Sequence, residues 1–393
     1  MNIGLIRMKY APYGGAEVFL SRFIDELIKK GHTCHLFAAK WDEKSKIKTQ
    51  NSKLIWHRVK TFGPSFFKIW FFAFNAFLAV RKTPLDVVIS FDRTLYQDIY
   101  RAGDGCHREW LFQRQKAWSI EHRAWGRNTI KKLITSLNPL HLTILYLEKR
   151  LFKSKKLKFV VANSRRGKQE IIRHYNLPEE KIYVIYNGID INRFDLKEKE
   201  RVRAYYRERF GISADETVLL FVGSGFERKG LEFLIRAFGL LNARGYDKIK
   251  LLVVGKGNEK KYLKLAGRLG IKTDVIFTGH LKDVLRCYFA GDIFVLPSIY
   301  EPFSNACLEA MAAGLPVVTS SMNGASEILN NGKDGMVIED PLNHHEIAEM
   351  IKPLLDSDKR NEIGMAARRR AENYTIENNV EGFLKLINRM GVV

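Results

Sequence analysis

Cysteine is scarce in this chain of 393 residues: Cys34, Cys106, Cys287 and Cys307 are the only four, and no two form a CxxC pair. That excludes a disulfide framework and a zinc-binding spacing, and it points to a reducing cytosol. Long apolar runs are missing as well. The most apolar stretch, residues 66–80, is interrupted by Lys68 and Asn75 and falls short of the roughly 20 residues a spanning helix needs. It reads as a buried helix of the first domain, with insertion at a membrane interface as the minority alternative. Residues 1–6 read as a first strand and are too short for the core of a signal peptide. The expectation is a soluble chain. There is no fixed-period repeat, no low-complexity tract and no metal-ligand spacing of acids around His141, His174, His344 or His345, which read as structural.

What is present is enough for two cores. Single cores stop growing near roughly 250–300 residues, so two domains are expected here. Hydrophobic residues at 46% and charged residues at 27% exclude a mainly disordered or fibrous chain. The net charge of +22 is unevenly placed: through Asp190, 35 Lys and Arg face 16 Asp and Glu, a net +19, and the remainder carries only +3. A solvated basic face is the ordinary reading of such charge. An asymmetry over a whole half argues for a polyanionic partner, and nucleic acid, a phosphorylated lipid surface and an anionic glycolipid all fit at this level.

Short apolar runs alternate with amphipathic helical patterns. In the second half the strands are expected at 218–222, 250–254, 274–277, 292–296 and 316–319; in the first half at 2–7, 33–37, 86–90, 99–102, 158–162 and 182–185. This is the pattern of βαβ units and parallel sheets. The fold class is therefore α/β, with two doubly wound domains facing a cleft and ligands beyond the carboxyl ends of the strands. The boundaries are expected at 1–192 and 193–373. The connection falls in the charge-rich stretch 193–209, and a C-terminal helix at about 374–393 returns to the first domain.

Three motifs fall on strand-to-helix turns. Gly14-Gly15-Ala16-Glu17 follows the first strand. Its glycines permit close backbone approach and its helix start offers N–H groups to an anion, although an ordinary turn looks the same. Gly223-Ser224-Gly225-Phe226-Glu227-Arg228-Lys229-Gly230 follows a strand of the second half. Two adjacent cations there suit a diphosphate, or else form a solvated basic turn. The segment lacks the GK[ST] of a P-loop. Glu301-Pro302-Phe303-Ser304-Asn305-Ala306-Cys307-Leu308-Glu309 places two carboxylates too far apart for a hydrolytic pair, since eight helical steps span about 12 Å. Carboxylates accept from sugar and ribose hydroxyls, and free N–H groups at Phe303 to Asn305 between them would suit a phosphate. Two surface glutamates on a helix is the competing reading.

Together these motifs, with Asn187-Gly188-Ile189-Asp190 and Leu315-Pro316-Val317-Val318, resemble a retaining glycosyltransferase of family 4 with the GT-B fold of two Rossmann-like domains. Tyr100-Arg101-Ala102-Gly103-Asp104-Gly105-Cys106 is similar to the lipopolysaccharide-core glucosyltransferase branch. The resemblance implies that Glu301 holds hydroxyls of the donor sugar and Glu309 the ribose. Arg228 and Lys229 would bind the diphosphate, helped by the Gly14-Gly15 backbone, by Ser224 of the cation turn and by Phe303, Ser304 and Asn305. Gly255, Thr278 and Gly279 would frame the nucleobase. Many family members have arginine where this chain has Ser224, a place Arg228 can fill. Many also have a histidine facing the donor sugar where this chain has Asp104, with His107 as its rival.

The implied activity is metal-independent hexosyl transfer from a nucleotide sugar, UDP-glucose favoured, to a lipopolysaccharide-core or related anionic glycolipid, with no cofactor beyond that co-substrate. The implied location is cytoplasmic, peripheral on the inner face of an anionic membrane, with no nucleic-acid partner. Trp110, Trp118 and Trp125 lie among basic residues of 107–136; they suit a membrane interface, base stacking, or plain core packing. A non-catalytic polyanion- or nucleic-acid-binding protein and a GT-B nucleotide-sugar epimerase are the competing functions.

Overall fold

The computed structural model describes residues 1–10, 15–41, 53–121, 138–281 and 283–391. The chain divides into two units, residues 1–188 with 376–393 and residues 189–375. In the first, strands β1 (Asn2–Ile6), β2 (Thr33–Ala38), β3 (Leu54–Arg58), β4 (Val87–Ser90), β5 (Ile99–Ala102), β6 (Phe159–Ala162) and β7 (Ile182–Val184) form one sheet. Their order is β3-β2-β1-β4-β5-β6-β7, and every pair is parallel. In the second unit β8 (Thr217–Val222), β9 (Ile249–Val254), β10 (Val275–Gly279), β11 (Ile293–Leu296), β12 (Val317–Ser320) and β13 (Met336–Ile338) run in the order β10-β9-β8-β11-β12-β13, again all parallel. Each sheet is thus doubly wound, reversing direction at β1/β4 and at β8/β11, where such sheets bind ligands. Strands such as β4 and β11 are buried at every residue, which explains their unbroken apolar runs.

The chain crosses from the first unit to the second at residue 188, four residues before the expected boundary. The stretch expected to connect the domains instead holds the helix Lys199–Arg209 of the second unit. Its charges are not a solvated linker. Arg203 and Arg207 contact Asp292 at 2.7 and 2.5 Å, and Asp292 also accepts from the Val218 N–H at 2.7 Å. Arg207 and Asp292 are buried, so this cluster ties the helix to the starts of β8 and β11. The C-terminal helix Ile376–Asn388 packs into the first unit through Val380, Phe383 and Ile387, at helical spacing. The Phe383 ring lies 5.0 Å from that of Phe23 on the helix Gly15–Lys29.

The apolar stretch of the first unit is the helix Ser65–Arg81, and it is only half of what the sequence suggested. Phe72, Ala76 and Val80 bury against Ile6, Phe37 and Val88 of the sheet. Phe67, Trp70, Phe74 and Leu78, in contrast, are 37–47% exposed. Apolar residues cover most of the helix surface, apart from Lys68 and Asn75, and only one side finds the core.

Candidate active site

The carboxyl ends of β8 and β11 bring the cation turn and the Glu301 segment together. Gly223, just after β8, has φ +147°, and a Cβ there would meet Lys229 Cδ and Cε at 2.6 Å. Gly230 has φ +74°, and a Cβ there would collide with the Pro297 carbonyl oxygen. Only glycine permits both the conformations and the close approach. The Ile299 N–H then donates to the Arg228 carbonyl at 2.9 Å.

The side chains converge on one carboxylate. Lys229 Nζ lies 2.9 Å from Glu301 Oε2, Arg228 Nη1 lies 2.9 Å from the same oxygen, and Arg228 also donates to the Tyr300 carbonyl at 3.2 Å. Glu301 cannot drift away from them, because its N–H donates to Met322 at 3.0 Å and its carbonyl accepts from Gly324 at 2.9 Å. Burial alone would raise the Glu301 carboxyl, but the charges of Lys229 and then Arg228 outweigh it and hold the group below the usual carboxylate range. Lys229 is buried, whereas the Arg228 side chain is 32% exposed.

Eight residues on, Glu309 meets the opposite conditions. It accepts from the buried Tyr288 hydroxyl at 2.8 Å. Burial pushes its carboxyl up to about 6, with Tyr288, Arg193 and Lys229 offsetting only part of the rise. The two glutamates on one segment are therefore shifted in opposite directions, so that Glu309 is the first to take up a proton as pH falls below neutrality. Arg193 was not singled out by the sequence reading.

One expected feature is corrected. The N–H of Ser304 is not free for a phosphate: it donates to Asn323 Oδ1 at 3.1 Å, while the Ser304 side chain caps the helix Asn305–Ala312 by accepting from Cys307. Asn323, fully buried, also accepts from the Ala325 N–H and donates to Thr319 Oγ1 and Cys307 Sγ. Nothing in the sequence marked it. Phe303 is buried and Asn305 half-buried. At the neighbouring strand ends, the Gly223 N–H donates to Val254 at 2.8 Å and the Gly255 N–H to Gly279 at 2.9 Å. Ser224 is exposed and its Oγ accepts from the Lys256 N–H. Thr278 and Gly279 are the last residues of β10 rather than part of the loop after it. Ser224, Arg228, Lys229, Gly255, Thr278, Gly279 and Glu301 thus all lie at the carboxyl ends of strands of the second sheet.

The first unit holds a second cluster at the same end of its sheet. Arg7, just past β1, lies 3.2 Å from Asp92, 3.4 Å from Asp104 and 3.7 Å from Glu17. The Asp104 side chain is about half exposed, and the charges of Arg7, Arg93 and Arg101 together hold its carboxyl below its ordinary range. His107 belongs to a different network: its ring meets His141 at 3.1 Å, its N–H donates to the buried Glu148, and burial lowers its imidazole to about 4. Arg7 lies in none of the sequence motifs, and its guanidinium is the nearest of the three cations that act on Asp104. Gly15 opens the helix Gly15–Lys29, while Gly14 lies outside the described residues. Trp110 is half-buried on the helix His107–Glu121; Trp125 and the Trp118 side chain lie outside what is described.

The Glycosyltransferase Family 4 model matches residues 13–193, and the Glycosyl transferases group 1 model matches residues 202–370. The chain belongs to glycosyltransferase family 4. Glycosyltransferase MJ1607 of Methanocaldococcus jannaschii is 39% identical over 192 residues, 48% of each chain, so the match spans about half of that relative. The lipopolysaccharide glucosyltransferase WaaG of Escherichia coli K12 is 24% identical over 374 residues, 95% of this chain and 94% of WaaG. A crystal structure of WaaG superposes with a TM-score of 0.80 at 23% identity, covering 98% of this chain and 99% of that one. Anabaena HepE, solved with UDP and glucose, superposes at 0.72 and 20% identity, with 98% and 99% covered. At these identities the structures establish the fold, which is the GT-B architecture.

Proposed function

We propose that this family 4 chain is a retaining transferase that moves a hexose from a nucleotide sugar, UDP-glucose in the favoured case, to a lipopolysaccharide-core or related glycolipid. The observation that carries this reading is the Glu301 carboxylate holding Lys229 and Arg228 side by side at the reversal point of the second sheet. As the bond between the anomeric carbon and the diphosphate oxygen breaks, its electron pair leaves with the diphosphate. Two fixed cations stabilise that charge without reorganising. With the Ser304 N–H committed to Asn323, this work falls mainly on Lys229 and Arg228. Their shortest contacts are to Glu301 Oε2, which leaves Oε1 to accept from a sugar hydroxyl. Glu309 accepts from the ribose. The acceptor hydroxyl attacks the face that the diphosphate leaves, and its proton passes to a diphosphate oxygen. Asp104 is the first unit's polar group for sugar or acceptor.

UDP as the nucleotide and glucose as the sugar are supported by the contents of the HepE structure, and glucose also by the name of WaaG. The basic first half of the sequence suits an acceptor bearing phosphates or sugar acids, met at the inner face of an anionic membrane from the cytoplasm. Release of UDP from UDP-glucose tests the reading. Slow release alone, accelerated by truncated lipopolysaccharide, is the expected result. A polyanion-binding protein would release none, and an epimerase would convert the sugar without freeing UDP.

A further inference from the structure

We infer that the exposed face of the helix Ser65–Arg81, together with Leu142 and Tyr146 of the neighbouring helix Pro139–Phe152, is the surface by which the first unit seats on an anionic bilayer. This deepens the peripheral-membrane part of the reading above, and it moves the contact away from the tryptophans of residues 107–136. At 100° per residue, Phe67, Trp70, Phe74 and Leu78 fall in a stripe about 80° wide, with the buried Ala76 directly opposite. Tyr146 meets Trp70 with ring centroids 5.8 Å apart, and Leu142 lies one turn before it; both are nearly half exposed. A contiguous apolar patch across two helices marks an interaction surface, whereas scattered exposed apolar residues do not. The helix has 17 residues, about 25 Å against a hydrocarbon core of about 30 Å, and no described helix is long and apolar enough to cross a membrane. Too short to span and held to the sheet by its buried face, it can offer a bilayer only its exposed face.

Charge selects the occupant. Residues 53–85 contain six Lys and Arg and no Asp or Glu. Lys68, Arg81 and Lys82 are exposed around the first helix, and Lys149, Arg150 and Lys153 around the end of the second. Two copies of this chain meeting face to face would oppose these cations to one another. Anionic headgroups instead neutralise them while the aromatic rings enter the headgroup boundary.

The four native cysteines are buried, so Phe74→Cys gives a selectively labelled thiol, and Met365→Cys, at an exposed position of the second unit, gives a reference. With an environment-sensitive fluorophore, the label at 74 should shift to the blue on phosphatidylcholine–phosphatidylglycerol vesicles. The label at 365 should not shift, and neither should on phosphatidylcholine alone. High salt should release the protein. The double variant Phe67→Ser, Phe74→Ser should bind anionic vesicles at least about tenfold more weakly, because interfacial binding scales with buried apolar carbon. UDP release without vesicles should stay at the wild-type level. Normal vesicle binding with an unshifted label at 74 would overturn this surface while leaving peripheral binding in place. No binding to anionic vesicles would overturn both. A blue shift that grows with protein concentration in the absence of lipid, with a doubling of mass, would make the face a contact between copies.

Discussion

Lys229→Ala tests the central cluster most severely, because it separates folding from chemistry. Lys229 is 8% exposed, and its ammonium lies 2.9 Å from a carboxylate that is itself almost wholly enclosed. Removing one partner of a buried pair costs about 3–5 kcal/mol. Arg228 stays 2.9 Å from the same oxygen, so a loss nearer about 2–3 kcal/mol is expected, or roughly 4–12 °C for a unit of this size. Arg228→Ala should cost under about 1 kcal/mol, since its side chain is about one-third exposed and solvent screens it. The sign of the pH dependence follows from the two opposing influences on Glu301. In the wild type the cations win over burial and the carboxyl is depressed. Its stabilisation is present at neutral pH and is lost as pH falls through that depressed value. In Lys229→Ala burial gains the upper hand, so the ionised carboxylate is a burden at pH 7 that protonation relieves. The stability gap should therefore be widest at pH 7 and should narrow as pH approaches about 4. Urea unfolding of both proteins across that range measures it, and adding Glu301→Gln to Lys229→Ala should restore part of the loss. A gap independent of pH, or no restoration by Glu301→Gln, would refute the shared-carboxylate account.

Other outcomes follow from the same geometry. Lys229→Ala and Arg228→Ala should each slow UDP release from UDP-glucose by about 10²-fold, as loss of an electrostatic stabiliser of the leaving group does; steady-state kinetics on folded protein checks it. Glu309→Ala should chiefly weaken UDP binding, and Glu301→Ala should chiefly slow transfer, because ribose contacts are alike in ground and transition states; calorimetric titration with UDP separates them. If the ribose donates to an ionised Glu309, wild-type UDP affinity should fall as pH drops below about 6, and Glu309→Gln should flatten that profile. Asn323→Ala should destabilise by about 2–4 kcal/mol, since it strands the buried N–H groups of Ser304 and Ala325; thermal unfolding reads it directly.

Much of the fold was legible because parallel strands buried on both faces leave an unmistakable apolar run. β8, β9, β11 and β12 could be placed to within a residue or two for that reason. Two other elements were harder to read. β3 (Leu54–Arg58) lies at an edge, and four of its five residues are exposed or bear charge or imidazole, so its pattern is diluted. The helix Lys199–Arg209 resembled a linker because its anchoring is partly ionic: Arg203 and Arg207 reach a single buried aspartate, and the buried apolar pair Val202 and Tyr206 is outnumbered by charged residues. The helix Ser65–Arg81 failed in the opposite way. Its composition announced burial on every side, but composition cannot say that the core has room for only one face.

The same division runs through the candidate site. Arg228, Lys229, Glu301 and Glu309 stood out as charged residues in strand-to-helix segments, where a chain carries charge for a reason. Their electrostatic relation did not stand out. Which carboxylate would be lowered and which raised depends on whether cations or an apolar wall with one tyrosine surrounds it, and Tyr288 is twenty-one residues from Glu309. Asn323 and Arg7 were invisible for a related reason: each acts by satisfying groups brought near by the sheet, across 19 residues to Ser304 and 97 to Asp104. A motif shows which groups do the chemistry, because those groups sit together at a turn. The residues that set the charge and orientation of those groups sit in turns and strand ends elsewhere in the sequence, so their part becomes readable only once the strand order is known.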